Sequence, residues 1–227
     1  MKELILLHGA LGSKSQFEEL ALALESKFNV HLMNFSGHGG EPVPEAFDIA
    51  TFAEEVIAFM LKKDIAKADI FGYSMGGYVG LYAARKHPEM VGSVFTFATK
   101  FAWTPEIAQR EIKMLNAEKI AQKIPAFAKE LENRHRPADW KIVMEKTAAM
   151  MLSLGNLNVL PAGELSQIGQ PVRIGIGDKD AMVTLEETIE AYRNLPDATL
   201  VVLPGTQHPF EKINSERLAA EIISFFN

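Results

Sequence analysis

Short unbroken apolar runs alternate along this chain with longer stretches whose apolar residues recur every three or four positions. The first run is Leu4-Ile5-Leu6-Leu7, as expected of a strand buried on both faces. A glycine-bearing loop follows. Then Phe17, Leu20, Ala21 and Leu24 keep helical spacing and predict a helix over 15–26. The pattern repeats with a strand over 30–35, a helix from an Asp48 N-cap to about 63, and a strand at 69–71. A helix to His87, stopped by Pro88, and a strand over 92–98 complete the first half.

Between about 100 and 161 the strand-like runs vanish and helical spacing takes over, punctuated by Pro105, Pro125, Pro137 and Pro161 near expected helix starts. Strands resume at 172–177 and 199–203, with a helix over 185–194 between them and a last helix over 215–226. Strands separated by helices predict a doubly wound, mostly parallel sheet of about six strands with helices on both faces. The expected division is a core of residues 1–99 and 162–227 and a helical insertion at 100–161.

Composition narrows the function classes. The chain has 227 residues, enough for one α/β domain, and 48% of them are hydrophobic. A net charge of −6 gives no reason to expect a nucleic acid or an anionic membrane as partner. There is no cysteine, so disulfides, thiol nucleophiles and thiolate metal sites are excluded. No apolar run is long enough to span a bilayer, and the chain enters a strand at once, so a cytoplasmic location is expected.

In such sheets ligands bind beyond the C-terminal ends of the strands, so the residues just after each strand carry the chemistry. Gly72-Tyr73-Ser74-Met75-Gly76 stands between a strand and a helix. A serine there sits on a sharp, strained turn, flanked by glycines because side chains would collide. The helix beginning at Met75 aims free N–H groups and its positive dipole end at the reacting centre. Three other post-strand loops are His8-Gly9-Ala10-Leu11-Gly12, Gly177-Asp178-Lys179-Asp180 and Pro204-Gly205-Thr206-Gln207-His208-Pro209.

The order serine, aspartate, histidine in these loops resembles the α/β-hydrolase superfamily, in its small cap-bearing esterase, lipase and lyase branch. The resemblance covers the whole chain except the insertion, and it implies a start at the family's third strand. It implies Ser74 as nucleophile, His208 as general base and Asp180, rather than Asp178, as the acid that orients the imidazole. Asp178 is then left to hydrogen-bond the turn. Backbone N–H groups of Met75 and, by resemblance, Ala10 would form the oxyanion hole. The family's second strand ends in Asp, with a proline-bearing loop and a serine after Gly-His-Gly; Asn34, Ser36 and Glu41 stand at those positions here.

Of the other histidines, His8 and His38 are expected to brace loops, His31 to pack within its strand, His87 to sit at a helix end, and His135 to lie in a solvated turn. None has the spacing of a helical zinc site, and no metal or cofactor is expected.

The resemblance makes 100–161 a cap over the serine. Its expected pocket wall is Phe101, Trp103, Met114, Leu115, Phe127, Trp140, Met144, Met150 and Met151, though aromatic and Met residues at helical spacing equally suit the cap's own core. Arg110, Lys113, Arg134 and Arg136 are candidate carboxylate anchors, with solvated helix faces the plainer reading. The function expected is a serine hydrolase acting on a small-molecule substrate, a small or medium carboxylic ester. A cofactor-free C–C hydrolase or lyase on the same triad and a non-catalytic ligand binder are the rivals. Oligomeric state is left open.

Overall fold

The computed structural model describes all 227 residues. Its six strands are β1 (Lys2–Leu7), β2 (Phe28–Leu32), β3 (Ala68–Tyr73), β4 (Val91–Phe97), β5 (Val172–Gly177) and β6 (Ala198–Leu203). They form one sheet in the order β2-β1-β3-β4-β5-β6. Every neighbouring pair is parallel, which the intervening helices dictate.

Burial on both faces follows from the alternation of side chains along each strand. Leu4 and Leu6 of β1 point to one side, where they meet α1 (Glu18–Leu24) and α10 (Ser215–Phe226) through Leu20, Leu24, Leu218, Ile222 and Phe226. Ile5 and Leu7 point to the other, into the core formed with α2 (Ile49–Lys62) and α3 (Met75–Lys86), which α9 (Leu185–Asn194) joins beneath β5 and β6. Asp48 caps α2 by accepting from Thr51 N at 2.8 Å. Thr184 and Glu187 form a reciprocal capping box at the start of α9.

Two elements differ from the pattern-based expectation. The second strand ends at Leu32, because pairing with β1 stops at Leu6–Leu32. Phe35 N instead donates to His8 Nε2 at 3.2 Å, which draws the chain off the sheet edge. The first helix opens as a 3₁₀ turn over Lys14–Phe17 before becoming α-helical.

Between β4 and β5 lie α4 (Pro105–Glu111), α5 (Ala117–Lys123), α6 (Pro125–His135), α7 (Trp140–Asn156) and the short α8 (Ala162–Leu165). Thr104, Asn116 and Asp139 cap α4, α5 and α7 through backbone N–H groups. Helix α7 has two apolar regions. Trp140 and Met144 join Leu131 of α6 in a small separate core. Val143, Met150 and Leu154 join the main core.

Candidate active site

Ser74 stands between β3 and α3 with φ +52° and ψ −118°, a backbone that non-glycine residues adopt only when the surroundings enforce it. Its N–H donates to Phe97 O at 2.8 Å, and Thr99 Oγ1 donates to its carbonyl at 3.0 Å. The flanking glycines are required by close approach. A Cβ on Gly72 would lie 2.4 Å from Gly76 C, and one on Gly76 would lie 2.1 Å from Leu7 O. The second glycine is thus demanded by the end of β1 and not by Gly72 alone.

Ser74 Oγ lies 3.5 Å from His208 Nε2. His208 Nδ1 lies 2.8 Å from Asp180 Oδ2. The separation at Ser74 is long for a hydrogen bond. Asp180 is almost fully buried, its side chain 1% exposed. Burial pushes its pKa up, but the His208 ring and the Val183 and Met182 amides outweigh that and hold it below the usual carboxylate value. Asp178 is exposed and accepts from Thr206 N at 3.3 Å, away from the ring. The backbone of His208 is held by Tyr73, whose phenol donates to His208 O at 2.6 Å. Burial pushes that phenol's pKa up. Tyr73 was not singled out by sequence, although its place beside Ser74 was a signal.

The N–H groups of Ala10 and Met75 are donated to no other group of the protein, and both residues line the same cavity as Ser74 and His208. That cavity is small, about 60 Å³, and mostly apolar. Trp103, Met150, Met151 and Leu154 of the helical segment wall it, with Ile49, Tyr78, Met182 and Val183 from the core. Its four polar residues are Ser74, His208, Lys100 and Glu111.

The rest of the expected wall lies elsewhere. Phe101 is buried in the main core and faces a different cavity. Met114 and Phe127 are exposed, Met114 by 54%. Trp140, Met144 and the partly buried Leu115 belong to the small core between α6 and α7. One helix presents the same residue types to its own core and to the cavity, so composition does not separate them. None of the four candidate anchors lines the cavity either. Arg110 and Arg136 are largely exposed, and Arg134 donates to Leu11 O at 3.0 Å and pairs with Glu211.

His8, His38 and His135 are all fully buried, which corrects the solvated setting expected of His135. His8 Nδ1 donates to Gly9 O at 2.8 Å. His38 Nδ1 lies 3.1 Å from Ser36 O. His135 accepts from Gly39 N and donates to Leu11 O, each at 3.2 Å, so it ties α6 to two core loops. Burial drives all three pKa values down, to about 4 for His8 and His135. His31 pairs with Glu3 at 2.5 Å, and His87, just past α3, pairs with Glu54 at 2.8 Å. Where the family loop differs, Asn34 bonds Lys14 N and Gly39 O, and Ser36 bonds Glu55 of α2. No cluster of metal-ligating side chains is present, and no helix is long and apolar enough to cross a membrane.

The family model for the alpha/beta hydrolase fold matches residues 3–117. A pimeloyl-[acyl-carrier protein] methyl ester esterase of Neisseria meningitidis serogroup A is 30% identical, over 97% of this chain and 75% of that protein. A 2-(acetamidomethylene)succinate hydrolase of Mesorhizobium japonicum is 24% identical, over 99% and 87%. Among solved structures, an enol-lactonase from Burkholderia xenovorans superposes with a TM-score of 0.81 at 18% identity, over 99% of this chain and 90% of that one. At that identity the last shows the fold alone.

Proposed function

This chain belongs to the α/β-hydrolase family, and from that premise we propose that it cleaves a small or medium carboxylic ester through an acyl-enzyme formed on Ser74. The observation that carries the reading is the line of contacts Ser74 Oγ–His208–Asp180 opening onto an apolar cavity.

Ser74 Oγ attacks the ester carbonyl while His208 Nε2 takes its proton. Asp180 holds Nδ1–H, so the ring presents Nε2 as acceptor and its positive charge is stabilised once formed. The carbonyl oxygen becomes an oxyanion. The unused N–H groups of Ala10 and Met75, at the N-terminus of α3, receive it. Collapse expels the alcohol, which leaves with the proton from His208. Water then attacks the acyl-enzyme by the same route and releases the acid. In this reading residues 100–161 are the cap, and Trp103, Met150 and Met151 set how much acyl chain fits.

A C–C hydrolase would share the triad. An arginine pair pointing into the cavity would favour it, and no arginine lines the cavity. The ester reading therefore leads. The similar esterase carries a methyl ester in its name, so the substrate panel includes methyl esters beside p-nitrophenyl esters of graded length. A fluorophosphonate probe should label the wild type at Ser74. Ser74→Ala should fold normally, escape labelling and lose ~10⁴-fold or more in turnover. Near wild-type hydrolysis by that variant would refute the mechanism.

A further inference from the structure

Ser74 and His208 account for two of the cavity's four polar residues. Lys100 and Glu111 remain. Lys100 follows directly after the β4 loop that holds Ser74, and its Nζ donates to Met182 O at 3.0 Å. It also lies 3.5 Å from Glu187 Oε2 and 3.5 Å from Glu111 Oε1.

The two carboxylates are treated very differently. Glu187 is saturated: Oε1 accepts from the amides of Phe101 and Ala102, and Oε2 from the amide and hydroxyl of Thr184. Glu187 therefore anchors the entry to the helical segment and also supplies Lys100 with a counter-charge. Glu111, at the end of α4, is 9% exposed. Its side chain makes no hydrogen bond; it pairs with Lys100 at 3.5 Å and the largely exposed Arg110 at 3.6 Å, both through Oε1. Neither oxygen is sealed off inside the protein, so the carboxylate can still accept a hydrogen bond. Glu111 lines the cavity that holds the serine.

Lys100, Glu111 and Glu187 sum to a formal −1; Arg110, the fourth charge beside them, is 67% exposed and does not line the cavity, so solvent screens it. In a small apolar cavity that charge acts strongly on whatever enters. It repels a second carboxylate and attracts a hydrogen-bond donor, most of all a cationic one. We propose that Glu111 reads the tip of the acyl group, accepting a hydrogen bond from a hydroxyl or ammonium and disfavouring a free carboxylate. This rests on the ester-hydrolase reading and names its substrate class: esters of short acids that end in a donor. Specificity then comes from a repulsive element as well as an attractive one. A site built to bond a polar group also rejects the analogue that lacks it, because its own polar atoms are left unpaired.

The test uses methyl esters of C4, C5 and C6 acids ending in methyl, hydroxyl, ammonium or carboxylate, with acid release followed in wild type, Glu111→Gln and Glu111→Ala. In wild type, at one of these lengths, the hydroxyl- or ammonium-ended ester should exceed the methyl-ended ester in kcat/KM by about tenfold or more. The carboxylate-ended ester should be the poorest. Glu111→Gln should keep part of the hydroxyl preference, abolish the ammonium preference and relieve the discrimination against carboxylate. Glu111→Ala should abolish both preferences. Ratios within each variant are read, so a general loss of activity does not imitate the result. Equal turnover of methyl- and donor-ended esters at every length would overturn the proposal, as would a preference that survives both variants. If no ester is cleaved and the fluorophosphonate fails to label Ser74, the ester-hydrolase reading falls, and this proposal with it.

Discussion

Ser74 and Met151 line one cavity and are held there in different ways. Ser74 is fixed by its backbone: a strained φ, two glycines that admit no Cβ, an N–H bonded to β4 and a carbonyl bonded to Thr99. Met151 is fixed only by lying on α7, whose packing settles which side chains reach the cavity. The strand-end loops specify positions to fractions of an ångström, as bond-making needs. The helical segment specifies a volume, and several apolar side chains could fill it. Substitutions should separate the two regions sharply, in rate for the first and in stability or substrate size for the second.

The largest separation is expected at the acid. Asp180→Asn removes the charge 2.8 Å from His208 Nδ1 that, in the proposed mechanism, sets the tautomer of the ring. Turnover of the best ester should fall by ~10³- to 10⁴-fold with little change in KM. Asp178→Asn touches only the Thr206 amide and should stay within a few-fold of wild type. Comparable losses in the two variants would dissolve the proposed division of roles between these carboxylates.

That contrast also marks what could be read in the chain. The parallel sheet, its helices and the strand-end positions of Ser74, Asp180 and His208 were legible, because each rests on short-range pattern. A strand, a glycine-flanked turn and a helix occur within a few residues of one another. Tyr73 and Glu187 were not legible in role. Their partners lie far along the chain, at His208 and at Phe101, and only the fold brings them together. The cavity wall was legible in kind and largely missed in detail. Trp103, Met150 and Met151 reach the cavity; Trp140 and Met144 face α6. A methionine at helical spacing carries no mark of which side it will face.

A second pair of variants, at Trp140 and Met151, sharpens this within the helical segment itself. Trp140 is 6% exposed in the small core with Leu131 and Met144. Trp140→Ala should lower unfolding free energy by about 3–5 kcal/mol, as large-to-small core changes do. It should leave the chain-length profile of the surviving enzyme unchanged. Met151→Ala, half-open to the cavity, should cost little stability and move the optimum toward longer acyl chains by one or two carbons. Urea melts and a p-nitrophenyl ester series read the two effects separately. A shifted profile in Trp140→Ala, or none in Met151→Ala, would erase the distinction between the helical segment's own core and the cavity wall.

The smallest effect tests the seam between the regions. His135 belongs to α6 but bonds two core loops, through Gly39 N and Leu11 O. His38 lies beside it with ring centroids 5.7 Å apart, and Arg134 adds positive charge from the same helix. Burial, with that charge, holds its pKa at about 4 in the folded protein, against 6.5 as the ordinary value. Between those values the unfolded chain binds a proton that the folded one refuses, so stability falls as pH drops through that window. The contribution is fully present above pH ~6.5 and exhausted below ~4, with a slope of at most about 1.4 kcal/mol per pH unit for each such histidine. His8, with the same depressed value, and His38 add to the same trend. Glutamine at position 135 can accept from one loop and donate to the other without titrating. His135→Gln should therefore flatten the decline in urea midpoint between pH 7 and pH 5 by about one histidine's share. Parallel declines in variant and wild type would show that the seam does not titrate, and would leave the acid sensitivity to His8 and His38 within the core loops.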